Sequence, residues 1–284
     1  MELPVENPSL TFRAATEVAK AGIPAQDASG ERAVWSAAIA PGWDIAANAN
    51  GGYLAAIAAR ALSAALDRPD PVTISVHYFY PGKPGDVTIE TRVLKQGRRF
   101  SSGTATLLAQ GRTLLSCIGT FGDVAEASGP EIVDQGPPEM PDPDDCLPVA
   151  ATPFMGKIEL RLHPEDGQFR LGKRTGRALM RGWFRLRDGE PADTIALLCA
   201  ADAFPPTAFN ADLPLAWTPT IELTVHVRAR PAPGWLRCKF ATHFVTSGFL
   251  EEDGEIWDAT GRLVAQSRQL ALVPHGRSAP TVFS

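Results

Sequence analysis

The chain has 284 residues, 44% of them apolar, enough to fill the core of one large domain or of two ordinary ones. A formal net charge of −5 leaves no basic excess to neutralise phosphates, and the arginines are scattered along the chain, so nucleic acid is not expected as a partner. No apolar run approaches the roughly 20 residues of a bilayer crossing, and the opening MELPVENPSLTF lacks the basic and apolar regions of a signal peptide, so a cytoplasmic location is expected.

In chain order, Arg32-Ala33-Val34-Trp35 beside Gly42-Trp43 reads as a strand entering a helix. That helix is predicted from Gly52 to about Leu66, with the alanine-rich body YLAAIAARALSAAL and with Asn50 and Gly51 at its mouth. Ile74-Ser75-Val76-His77 then reads as a strand that turns at Pro84-Gly85, and a later pair turns at Gly111. From Gly122 to Pro148 the chain is rich in proline, glycine and acid and has almost no apolar periodicity, so it cannot order itself and reads as a linker. The expected division is an N-terminal domain over 1–121, the linker over 122–148 and a C-terminal domain over 149–284.

The second half repeats the order. Leu223-Thr224-Val225-His226 and Pro233-Gly234 follow His77 and Gly85 by 149 residues, and Gly261 follows Gly111 by 150. A second helix is predicted from about Asp193, a good N-cap, to Phe204, where Pro205-Pro206 stops it. Both helices are apolar almost all round, so each must be buried, and small alanines let a sheet close tightly around them.

Three polar residues of the second half stand out. Ile195, Leu198, Cys199 and Asp202 fall on one helical stripe, which puts a carboxylate on an apolar face. Either it snorkels to solvent from the last turn, or donors wait opposite, because desolvating it costs several kcal/mol. Thr220 opens the strand 220–228, whose alternation puts Ile221, Leu223, Val225 and Val227 on one face and Thr220 on the other. By itself it is an ordinary β-branched residue at a strand start. Gln269 shares its face with Ala265, Ser267 and Ala271, a row of small side chains that suits a closely approaching helix.

The repeat offsets match Thr220 with Pro71 and Gln269 with Gly119, while Asp202 corresponds to the neighbourhood of Arg60. None of these first-half residues can substitute chemically, so one catalytic centre per chain is expected. Asn50-Gly51-Gly52 offers free amides at a helix N-terminus, although plain turn chemistry explains the glycines equally well. Cys117, Cys146, Cys199 and Cys238 are far apart and read as reduced packing thiols. No Gly-x-Ser-x-Gly elbow occurs, and His77, His163, His226, His243 and His275 have no spacing of a triad or a metal site.

Together, NGGYLAA, CAADAF, PTIELTVHVR, GRLVAQSRQLAL and the tandem layout resemble the double-hotdog acyl-CoA thioesterases of the thioesterase II family. The resemblance implies an α+β tandem (double) hotdog, two antiparallel sheets each wrapped around a central helix. It implies hydrolysis of a fatty acyl thioester, carried by coenzyme A or an acyl-carrier protein, by a water that Asp202, Thr220 and Gln269 hold, with no cofactor and no metal. Asn50, Gly51 and Gly52 would then bind the substrate carbonyl, and assembly into a homo-oligomer is expected. The pattern departs from better-known members in its Asn-Ala-Asn-Gly-Gly run, where those carry a Phe-Gly-Gly type. The rival from another class is an acyl-thioester binding protein of the same fold without turnover.

Overall fold

The computed structural model describes residues 10–22, 31–211, 213 and 217–273; His275 lies outside them. The first half runs α1 (Phe12–Ala15), β1 (Ala19–Gly22), β2 (Arg32–Ile39), β3 (Asp44–Ile45), β4 (Asn48–Ala49), α2 (Gly51–Leu66), β5 (Asp70–Tyr78), β6 (Gly85–Lys95), β7 (Ser101–Ala109) and β8 (Arg112–Gly122). The second runs β9 (Leu147–Pro148), β10 (Ile158–Leu162), β11 (Leu179–Leu186), α3 (Ala196–Ala201), β12 (Thr220–Val227), β13 (Leu236–Ala241), β14 (Val245–Thr246), β15 (Phe249–Trp257) and β16 (Leu263–Leu272).

The predicted first helix is present, beginning one residue early. Asn50 caps it by accepting from the Tyr53 amide, and Asp67, in the left-handed region at φ 50°, ends it. Ala55, Ala56, Ala58, Ala59 and Ala61 are all buried, which lets the sheet approach closely. Leu54, Ile57, Leu62 and Leu66 fill the remaining space, each contributing about 1.5–3 kcal/mol by burial. Tyr53 is fixed on three sides: its ring stacks on Trp43 at 4.7 Å, its hydroxyl donates to Ala15 O at 2.8 Å, and it accepts from Ala40 N at 3.0 Å.

The second helix is shorter than predicted. Asp193 does serve its start, accepting from the amides of Ile195 and Ala196, but regular helix covers only Ala196–Ala201. Asp202 is therefore the residue after the helix, at φ −123°, rather than a member of its last turn.

The expected pair of sheets is one sheet. Its strands run β1-β2-β6-β7-β8-β5-β12-β16-β15-β13-β11-β10-β9, with β14 attached to β15. The join is β5 against β12, where Ser75 faces Thr224, its own counterpart 149 residues on. An antiparallel ladder that pairs a residue with its repeat equivalent has a local two-fold axis at that point, so the halves meet about the centre of the repeat. Turn glycines keep the relation: Gly111 and Gly261 lie at φ 75° and 82°, and Gly85 and Gly234 at 139° and 125°.

The proline-rich segment forms little regular structure of its own and is held against the outer face of the sheet. Trp183 Nε1 donates to Pro141 O at 2.9 Å, Arg237 donates to Pro138 O at 3.3 Å, and the Arg237 guanidinium lies over the Trp183 ring. No described helix is long and apolar enough to cross a membrane.

Candidate active site

The mouth of α2 meets the end of α3. Gly52 permits the contact, because a Cβ there would collide with the Leu198 carbonyl oxygen and lie 2.9 Å from Cys199 Cα. The Gly52 amide donates to Asp202 Oδ2 at 2.9 Å. Asn50 Nδ2 donates to the same oxygen at 2.9 Å and to the Asp202 carbonyl at 2.8 Å, while Asn50 Oδ1 accepts from Tyr53 N. Donors thus wait opposite the carboxylate, and it does not snorkel. Burial lifts its pKa to about 6, against the pull of the Gly52 and Gly51 amides and the Asn50 side chain. Asn50 and Gly52 both donate to Oδ2, and the carboxylate lines the cavity in front.

That arrangement changes the role expected for the glycines. The Gly52 amide is spent on Asp202 and does not line the cavity, whereas Asn50 and Gly51 do.

Thr220 requires a second correction. Opposite β16, Thr220 faces Ala271 and Leu223 faces Gln269, so three steps on β12 match two on its partner. The extra residue is a β-bulge, and it turns Thr220 onto the same face as Leu223 and Gln269, toward the helices. Strict alternation had placed it on the other side. A matching irregularity between Pro71 and Thr73 in β5 shows that the bulge belongs to the repeat. On this shared face Gln269 Nε2 donates to Thr220 Oγ1 at 2.5 Å, as expected for a glutamine beside the buried row Ala265, Ser267 and Ala271. The Thr220 hydrogen and the Gln269 carbonyl oxygen then remain for a third group.

Asp202, Asn50, Gly51, Thr220 and Gln269 line one cavity of ≈ 470 Å³. Asp202 and the Thr220–Gln269 pair are not bonded to each other directly; the cavity is what they share. Leu54, Val149, Met155, Phe209, Leu250 and Leu272 supply much of its apolar wall, and Phe79 and Trp217 also line it. Phe249 does not.

Two lining residues escaped the sequence reading. Tyr78 donates to Gly51 O at 3.0 Å, and burial together with nearby Asp202 raises its pKa well above the ordinary value. Glu252, on β15, faces Gln269 in the ladder and accepts from Thr207 N at 2.8 Å. Burial pushes its pKa up to about 7. Its signal was the inward row Leu250, Glu252, Gly254, Ile256, which the surrounding acids mask.

Among the described residues one His–carboxylate cluster has metal-like spacing, His163 with Glu165 and Asp166. A guanidinium already fills it: Arg181 donates to Asp166 Oδ2 at 2.8 Å and to Glu165 Oε2 at 3.0 Å, and lies 3.3 Å from His163 Nδ1. All four cysteines are free and buried.

Comparison with known proteins supports the same architecture. Family profiles for the acyl-CoA thioesterase N-terminal and C-terminal domains match residues 39–122 and 133–273. A candidate thioesterase II from Thermobifida fusca YX is 32% identical, with a TM-score of 0.83 over 95% of this chain and 99% of its own. A conserved protein of unknown function with a hot dog fold from Alicyclobacillus acidocaldarius is 21% identical, with a TM-score of 0.78 over 94% and 98%, which speaks to fold alone. An uncharacterized protein of Mycobacterium tuberculosis H37Rv is 30% identical over 260 residues, 82% of this chain and 88% of the relative. With both thioesterase domains matched in order and the two halves folded as a double hotdog, the chain belongs to the acyl-CoA thioesterase family.

Proposed function

We propose that the cavity hydrolyses acyl thioesters, of coenzyme A or of an acyl-carrier protein, by direct attack of water. The observation that carries this reading is Asp202: a half-buried carboxylate, one oxygen of which Asn50 and Gly52 hold, at the wall of a cavity that Thr220 and Gln269 also line.

The water donates one hydrogen to Asp202 Oδ1 and the other to the Gln269 carbonyl oxygen, which aims its lone pair at the thioester carbon. As the C–O bond forms, Asp202 takes the proton and the former carbonyl oxygen becomes an oxyanion, toward which the Thr220 hydroxyl donates. The oxyanion collapses, the C–S bond breaks, and Asp202 returns its proton to the departing thiolate. Products are a carboxylic acid and a thiol, and no covalent enzyme intermediate is needed. The apolar wall accepts the acyl chain.

The burial of Asp202 suits the task, since a base near pKa 6 is ionised at neutral pH yet basic enough to share a proton in the transition state. Free thiol followed with a thiol reagent, on a panel of acyl-CoA substrates, tests the reading. Multiple turnovers are expected. Tight binding of intact acyl-CoA with no thiol release would instead favour the binding-protein alternative.

A further inference from the structure

Glu252 is the one charged group of this cavity that the hydrolytic step leaves without a role. It is 7% exposed, on the inner face of β15, and among the described residues its only hydrogen-bond partner is Thr207. Among the described residues no cation compensates it; the charges acting on it are the like charges of Asp202 and Glu251. A carboxyl desolvated at the wall of an apolar cavity is costly, and the amide and hydroxyl of the single residue Thr207 recover only part of that. A leucine would fill the same place at no electrostatic cost, next to Leu250 and Leu272, which also line the cavity.

Its position suggests what the carboxyl is for. Glu252 stands directly across the ladder from Gln269, so the two side chains leave neighbouring strands on the same face, with Cα atoms about 4.5–5.5 Å apart. If Gln269 holds the water against the thioester carbon, Glu252 borders the first few carbons of the acyl chain. Thr207 takes Oε2 and leaves Oε1 for the cavity. A carboxyl accepts from a hydroxyl in either protonation state, and when protonated it also donates.

We propose that Glu252 makes this cavity selective for acyl groups that carry a hydroxyl near the thioester carbonyl, which its free oxygen hydrogen-bonds. The proposal rests on reading the cavity as a thioester-hydrolase site. It casts Glu252 as a specificity-determining residue and leaves the attack of water to Asp202, Thr220 and Gln269. A plain alkyl chain would leave the second carboxyl oxygen desolvated and without a donor in the closed complex.

The test compares kcat/KM for an acyl-CoA with that for counterparts of equal chain length hydroxylated at the second, third or fourth carbon. Wild type is expected to favour one hydroxylated isomer about 10–100-fold, the factor a hydrogen bond to a carboxyl commands. Glu252→Leu should bring that ratio to about one, and Glu252→Gln, which still hydrogen-bonds, should keep much of it. Equal use of plain and hydroxylated chains by wild type overturns the proposal, and so does a Glu252→Leu variant in which both activities fall in step. The wild-type ratio decides by itself should Glu252→Leu fail to fold. If wild type hydrolyses neither thioester, the hydrolase reading fails, and the selectivity is then read from the binding of paired non-hydrolysable thioether analogues. A binding preference lost in Glu252→Leu upholds the proposal there, and equal affinities overturn it.

Discussion

Arg60 Nη2 lies 2.7 Å from Asp193 Oδ2, an ion pair that crosses from α2 to the chain just before α3. At the other end of the same helix pair, Gly52 N meets Asp202 Oδ2 at 2.9 Å. Asp202 corresponds to the neighbourhood of Arg60 in the first half, so the two contacts stand at comparable places in the two copies. In one copy a carboxylate faces backbone amides and a cavity. In the other an arginine occupies that place and is neutralised, and Pro71 and Gly119 stand where Thr220 and Gln269 would be. The pair Arg60–Asp193 thus lies where the first half has no counterpart of the proposed catalytic residues.

Thr220 and Gln269 should behave as one unit, because the bond between them orients both. Thr220→Val is expected to lower kcat about 10–100-fold, and Gln269→Leu by a similar factor. The double variant should be far less impaired than the product of the two, as a double-mutant cycle on kcat would show. Fully multiplicative effects would mean that the residues act separately.

Gly52→Ala should unsettle the meeting of α2 with the end of α3, since a Cβ there collides with the Leu198 carbonyl oxygen and lies 2.9 Å from the Asp202 Cβ. A loss of about 1–3 kcal/mol is expected from chemical denaturation, the range for overpacking a tight contact. Gly129→Ala is the control, with nothing within 4 Å of the added methyl, and should change stability by less than about 0.5 kcal/mol.

Activity should follow the ionisation of Asp202. With its pKa near 6, kcat/KM is expected to climb as pH rises through about 6 and to level above it, because only the carboxylate can take the proton. A profile already flat at pH 4 to 5 would place the working group elsewhere.

Stability should move the opposite way for the same groups. Burial raises Asp202 from 3.8 to about 6 and Glu252 from 4.5 to about 7, so both hold protons more tightly folded than unfolded. Their protonated forms favour folding fully below about pH 4, and that contribution is lost as pH climbs through 6 to 7. Each shift corresponds to at most about 3 kcal/mol. The Asp202→Asn/Glu252→Gln variant should therefore gain stability relative to wild type between pH 4 and pH 8, measured by denaturant unfolding at each pH. A constant gap would contradict the burial argument.

Much of this was legible in the residues themselves. Asn50 before a run of alanines marked the start of α2, and fixed offsets between His77 and His226, or Gly85 and Gly234, disclosed the tandem layout. Small residues at 265, 267 and 271 correctly aimed Gln269 at the helices. Pairing of Ser75 with Thr224 was not legible, since a repeat shows that two strands are alike but not that they adjoin. Thr220 was aimed to the wrong side because a bulge is a backbone event, and period-two counting has no term for one extra residue. Glu252 was missed for a related reason: in the acid-rich run of β15 an inward carboxylate resembles its exposed neighbours. The second helix was overextended because apolar periodicity continues past Ala201, while the chain turns out of helix at Asp202.

The carboxylate of Asp202 is the group on which the proposed hydrolysis depends. Thiol release from acyl-CoA by wild type and by a folded Asp202→Asn variant, with equal affinity for substrate checked in parallel, tests it most directly. Turnover by the variant is expected to fall about 10²–10⁴-fold with binding retained, the share that a general base supplies. An unchanged turnover number in that variant would contradict the account.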